Sequence, residues 1–165
     1  MVTTSNLILL CAAVATALMA GLFYSWSFSV TPGLAKLPDR EYIAAMQAMN
    51  SAILNPVFFA GFFGALVLLP VATYQQFAQP MPARFWFLLA ATLAYGVGVF
   101  GVTVVGNVPL NEALAAFDVA SASPTSVAAR RLSFEQPWNS LNMVRTVCAF
   151  FSIAFVILGC LSAEK

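Results

Sequence analysis

Four apolar stretches without a single Asp, Glu, Lys or Arg, running Leu7 to Val30, Val57 to Tyr74, Phe85 to Gly106 and Val147 to Leu161, limit what this chain can fold into. A bilayer core of about 30 Å is crossed by roughly 20 apolar residues in helical form, and a buried helix of a soluble domain rarely stays uncharged that long. The fourth stretch is short as drawn and is expected to begin near Leu141. The pattern predicts an all-α fold: an integral membrane four-helix bundle with spans at about 7–30, 57–74, 85–106 and 141–161. Charged residues make up only 8% of the chain, against about 25% in a soluble domain. Four spans and their connections occupy all 165 residues, so 1–165 reads as a single transmembrane domain with the lipid bilayer as its first partner.

A net charge of +1 and the lack of a basic cluster argue against a nucleic-acid partner. Ala15-Thr16-Ala17 has the small-x-small form of a signal cleavage site. No Lys or Arg precedes it, however, and the apolar run continues past it, so a retained first helix is expected. Histidine is absent, and Cys11, Cys148 and Cys160 lie inside spans without C-x-x-C spacing, which suits small packing residues. The usual ligands of haem, copper and non-haem iron are therefore missing, and neither a protein-ligated metal nor a bound cofactor is expected. A Ser-His-Asp or Cys-His device is excluded for the same reason.

The connections from Thr31 to Pro56 and from Asn107 to about Ser140 share one side of the membrane. Both termini and the loop from Gln75 to Arg84 share the other. Lys36, Arg40, Arg130, Arg131 and Arg145 fall on the long-loop side, against Arg84 and Lys165 opposite. The positive-inside rule then places the long loops in the cytoplasm and the termini outside, with a bacterial inner membrane as the expected location. Tyr42, Ile43, Met46, Met49 and Ile53 recur at helical spacing behind Asp39, a cap residue, and predict a short interfacial helix. Leu110, Leu114 and Phe117 make a similar stripe after Pro109. Ser123-Pro124 opens a further helix to about Phe134, and Pro137 suits the first turn of the last span. Apolar faces lying on the bundle or on lipid headgroups account for these stripes.

A weak internal repeat accompanies this plan. Gly21-Leu22-Phe23 leads to Pro32 over the same distance as Gly98-Val99-Phe100 leads to Pro109. Asn50-Ser51 with Asn55 precedes the second span, as Asn139-Ser140 with Asn142 precedes the fourth. A duplicated two-span unit would bring the two asparagine-rich ends together at one mouth of the bundle.

Polar side chains at a membrane boundary are costly unless paired, so their clustering on one side is a functional pointer. Asn50, Asn55, Asn107, Asn111, Asn139, Asn142 and Arg145 all fall at expected span ends on the long-loop side. Amides both donate and accept, and a guanidinium offers five donors that suit a phenolate, enolate or carboxylate. Arg145 is thus a candidate catalytic residue, and the asparagines with Trp138 are candidate substrate contacts. The competing readings stay open: asparagine caps and interhelical glue, an Arg145 that snorkels to headgroups, a Trp138 that anchors at the interface. Glu112, Asp118 and Glu135 are the carboxylates nearest in sequence, Glu112 being the candidate base. Gly61, Gly64, Gly96, Gly98 and Gly101 suit close helix packing, either within the bundle or against another copy or a partner.

Four segments carry a family resemblance. They are Gly21 to Leu37; Ala45-Met46-Gln47-Ala48-Met49-Asn50 with Leu54-Asn55-Pro56; Gly106-Asn107-Val108-Pro109-Leu110-Asn111; and Trp138-Asn139 with Asn142, Val144, Arg145 and Thr146. Together they resemble the anthrone oxygenase-like family of small four-span membrane proteins. The resemblance implies enzymes that oxidise polyketide anthrones to anthraquinones without a bound cofactor. An anthrone carries an acidic carbon whose anion can pass an electron to O2, so such a protein would orient the substrate and stabilise the oxyanion.

The leading expectation is therefore a cofactor-independent oxidoreductase acting on an aromatic or other acidic apolar small molecule that enters from the bilayer. The alternative is a non-catalytic partner or assembly subunit of a membrane complex. A small transporter ranks below both, because ion-coupled carriers usually place an ionisable residue near the midplane.

Overall fold

The computed structural model describes residues 3–162, all-helical and without strands among those residues. Its helices are α1 (Thr4–Leu34), α2 (Asp39–Ala52), α3 (Pro56–Tyr74), α4 (Ala83–Ala115) and α5 (Pro124–Leu161). All but α2 are long and apolar enough to cross a membrane. Side-chain caps start three of them. Thr3 Oγ1 accepts from the Asn6 amide at 3.2 Å, Asn55 Oδ1 from the Phe58 amide at 3.0 Å and Ser123 Oγ from the Ser126 amide at 3.2 Å. Pro56 and Pro124 follow their caps at the first helical position, where the missing N–H costs nothing.

The spanning helices pack in the cyclic order α1, α3, α4, α5, each antiparallel to both neighbours. Apolar side chains gain little by leaving lipid for protein, so close packing of small residues carries the association. A Cβ on Gly61 of α3 would lie 2.8 Å from Met19 Cε of α1. One on Gly98 of α4 would lie 2.3 Å from Cys148 Sγ of α5. Ala12, Ala65, Leu69, Leu88, Ala91 and Val156 fill the centre, while Leu10, Leu18, Val67 and Phe150 face outward.

Helix lengths create a second layer. At 1.5 Å per residue α3 reaches roughly 28 Å, whereas α5, with 38 residues, reaches roughly 57 Å and outruns even the headgroup layers. The extensions of α1, α4 and α5 enclose α2 in a separate apolar core containing Leu34, Tyr42, Ile43, Met46, Leu114 and Phe134. The α2 stripe is thus buried on the bundle rather than laid on headgroups. Arg131 fastens this cap. It donates to Leu37 O at 2.7 Å, Ala35 O at 2.9 Å, Asp39 Oδ1 at 3.0 Å and Glu135 Oε2 at 2.7 Å, and sits 4.4 Å over the Tyr42 ring. Arg40 binds the carbonyls of Val119, Ala120 and Ala122 in the second long connection.

Several local expectations change. Pro38, not Asp39, occupies the cap position of α2, and Asp39 serves Arg131 instead. The stripe after Pro109 continues the third span as the end of α4. The helix opened by Ser123 does not stop near Phe134. It runs unbroken through Pro137 to Leu161, because Trp138, Phe134 and Val127 on one face all find burial. Lys165, counted in the orientation above, lies outside the described residues.

Two turns are widened to π-helical geometry, Trp26–Val30 in α1 and Thr103–Asn107 in α4. Each ends two residues before a proline, Pro32 or Pro109. A proline ring inside a helix collides with the carbonyl four residues back and supplies no N–H, and a wider turn absorbs both defects. A further π segment occupies Ala94–Gly101.

Candidate functional site

The turns just described flank a cavity of about 260 Å³ at the junction of the bundle with its α2 cap. Phe58, Phe59, Phe62 and Phe63 of α3 and Phe100 of α4 form an aromatic wall on one side. Phe62 stacks on Phe58 at a centroid distance of 5.3 Å and lies 5.7 Å from Phe100. Trp26 and Trp138, tilted against each other at 5.2 Å, also line it. The polar lining comes in two groups, Arg145 and Asn142 of α5 with Thr103 of α4, and Asn111 of α4 with Asn50 of α2.

Arg145 is only 7% exposed. Its Nη2 donates to Asn142 Oδ1 at 2.7 Å and its Nη1 to Thr103 Oγ1 at 3.4 Å, while Nε has no partner. The guanidinium lies 4.7 Å from the Phe23 ring centroid and 5.3 Å from that of Trp138. The described ion pairs both belong to Arg131, so among the described residues Arg145 has no carboxylate partner. Burying a cation without a counter-ion costs several kcal/mol even after relaxation. Two aromatic faces, at up to about 2 kcal/mol each when desolvated, and two neutral acceptors offset part of that. What remains is a positive side chain lining an apolar cavity, with its Nε buried and unpaired.

The guanidinium is held in place from α1. Asn142 Nδ2 donates to Ser27 Oγ at 2.8 Å, and Ser27 Oγ lies 2.8 Å from Thr146 Oγ1. Thr146 in turn donates to Phe23 O at 2.9 Å, just ahead of the widened turn. At the other edge of Trp138, Nε1 donates to Asn111 Oδ1 at 2.8 Å, and Asn50 Nδ2 donates to the same oxygen at 3.1 Å. With its oxygen claimed twice, Asn111 keeps its amide NH2 for a further acceptor.

Five of the residues singled out by sequence thus converge on the cavity: Arg145, Asn142, Asn50, Asn111 and Trp138. The others lie apart. Asn55 caps α3. Asn107 is fully buried, donates weakly to Trp138 O at 3.4 Å and leaves Oδ1 unpaired. Asn139 is half-buried with its Oδ1 also unpaired. Glu112 is exposed and does not line the cavity. Asp118 closes a surface turn in which the Ser121 hydroxyl and the Ser121 and Ala120 amides donate to it, holding its carboxyl below the usual range. Glu135 is paired with Arg131.

Ser27, Thr103, Thr146 and the phenylalanine wall were not anticipated. The doubled spacing Phe58-Phe59 and Phe62-Phe63, two adjacent pairs one helical turn apart, is the signal that would have found the wall. Hydroxyls inside a span look like packing residues until their partners are known. Among the described residues, Arg145 is the only ionisable side chain lining the cavity, with no Asp, Glu, His, Cys or Lys beside it to ligate a metal or abstract a proton. The arrangement can receive a flat apolar molecule, stack it on aromatic rings and hold one oxygen as an anion.

No curated protein and no solved structure matches the chain. The anthrone oxygenase family profile matches residues 56–155, which include α3, α4 and α5 through the cavity-lining segments. A match over more than half of the sequence, on an all-helical membrane bundle, means that this chain belongs to the anthrone oxygenase family.

Proposed function

We propose that the protein is a cofactor-independent oxygenase for an apolar aromatic carbon acid that ionises to an enolate or phenolate. The observation that carries this reading is Arg145, a buried cation without a carboxylate partner among the described residues, lining an aromatic-walled cavity. The substrate loses a proton from its acidic methylene, and the resulting oxyanion rests on Arg145. The carbanion form passes one electron to O2, and recombination forms a C–O bond. The hydroperoxide that results eliminates water to leave a ketone, so one CH2 and one O2 become one C=O and one H2O. No carboxylate lines the cavity, so the proton departs to water and Arg145 works by making the substrate more acidic.

The long connections, with Lys36, Arg40, Arg130 and Arg131, lie in the cytoplasm in this reading, against Arg84 opposite. Oxygen uptake by the detergent-purified protein with a model anthrone tests the activity. Substrate-dependent uptake above the protein-free detergent blank is expected, and uptake equal to the blank refutes it.

A further inference from the structure

The cavity walls differ in a way that assigns its entrance. Among the lining residues, those on α1 and α5 are buried or half-buried: Phe23, Trp26, Trp138, Asn142 and Arg145. The lining residues that also face the exterior are Leu54, Phe59, Phe63, Val104 and Val108, at 65%, 37%, 46%, 48% and 37% exposure. All five lie on α3, on α4 or in the turn just before α3. The opening therefore follows the α3–α4 seam.

The other seams are closed at this level. Ser27, Thr146 and Asn142 join α1 to α5. A Cβ on Gly106 of α4 would meet Leu141 Cδ1 of α5 at 2.8 Å, and Gly61 of α3 is in contact with Met19 of α1. Deeper in the bilayer the α3–α4 seam also closes. Tyr95 Oη donates to Phe62 O at 3.0 Å, and Thr73 Oγ1 meets Thr92 Oγ1 at 2.9 Å. Phe59 and Phe63 stand roughly 5 and 10 Å from the start of α3, which places the opening within the apolar layer.

We propose that this seam is a lateral portal, through which a planar apolar aromatic molecule dissolved in the membrane slides between Phe63 and Val104, acidic oxygen foremost, toward Arg145. The inference rests on the cavity being the ligand site of the proposed function, and its test does not depend on turnover. The full chain carrying Cys11→Ser, Cys148→Ala and Cys160→Ser, with Leu22→Cys as a reporter on the α1 wall, is reconstituted into phosphatidylcholine vesicles. Labelling by the lipophilic N-phenylmaleimide is compared with labelling by a sulfonated, membrane-impermeant maleimide.

The portal predicts fast lipophilic labelling. Val104→Trp or Phe63→Trp should slow it about tenfold or more, the effect of roughly 1.4 kcal/mol of added barrier, and Phe63→Ala should speed it. Both positions face outward, so the bulky variants should melt like the parent. The portal is refuted if both tryptophan variants label within about twofold of the parent, if the charged reagent labels as fast as the lipophilic one, or if the reporter is not labelled at all. A protein that consumes no oxygen with anthrones would leave these rates unchanged, so the portal and the oxygenase reading fail separately.

Discussion

Arg145 donates to Asn142 Oδ1 at 2.7 Å from one turn further along the same helix, so the cavity's cation is oriented by a neutral amide where a carboxylate would have neutralised it. Asn142→Asp should convert that contact into an ion pair. Ser27 can donate to the new carboxylate once Thr146 turns its own hydroxyl from Phe23 O to Ser27, so the variant should fold and melt close to the parent. Affinity for an anionic aromatic ligand should fall by about 10–100-fold, the worth of a charge-assisted hydrogen bond of roughly 1.5–3 kcal/mol. Thermal melts check the first half of this expectation and isothermal titration with a naphtholate the second.

Glu112 is exposed and lies outside the cavity lining, so Glu112→Gln should leave the rate of substrate oxidation within about twofold. The pH profile should follow ionisation of the substrate instead of a carboxylate. A loss of about a hundredfold or more in this variant would identify a base in the second long connection.

Tyr42 puts a different ionisation to the test. Burial, with the charge of Glu135 adding to it and that of Arg131 opposing, pushes its hydroxyl well above the usual tyrosine range. A raised acid favours the protonated folded form, so its contribution is complete below the unfolded value of about 10 and is lost as pH rises toward the folded one. The α2 cap should therefore loosen in alkali above about pH 10, with tyrosinate absorbance appearing as it does. The Tyr42 hydroxyl is also buried without a partner. Tyr42→Phe should raise the melting temperature slightly, by up to about 1 kcal/mol of stability, and remove this tyrosine's part of the alkaline transition.

Gly98 makes a packing prediction with an internal control. Gly98→Ala sets a Cβ 2.3 Å from Cys148 Sγ and 2.5 Å from Cys148 Cβ, which should cost about 1–3 kcal/mol. Cys148→Ala removes only the sulfur and should not rescue the variant. Cys148→Gly removes both contacts and should. Thermal melts of the single and double variants read the coupling.

The sequence disclosed the spans because long uncharged runs have few other fates, and it located Arg145, Asn142, Asn50, Asn111 and Trp138 because polar groups near a bilayer need a reason to be there. It misjudged their setting. Asn142 and Trp138, expected at the start of a span, sit well inside α5, since the burial of Val127 and Phe134 carries the helix through Pro137. The distinction between Asn55, which caps a helix, and Asn111, which faces a cavity, depends on partners far apart in the chain. Periodicity carries no record of such partners. The phenylalanine wall was hidden for a related reason: in an apolar span, a residue that lines a cavity and one that faces lipid have the same composition.

The bound ionisation state of a phenol tests the central claim most directly. 4-Nitrophenol, whose phenolate absorbs in the visible, is titrated with pH in detergent, in detergent with the protein, and in detergent with Arg145→Gln, both proteins being shown folded by thermal melting. If Arg145 is an anion site, the bound phenol should ionise about 1–2 units below its value in empty micelles, and Arg145→Gln should abolish the shift. A bound phenol that ionises no more readily than in empty micelles, identically in both proteins, would contradict the account.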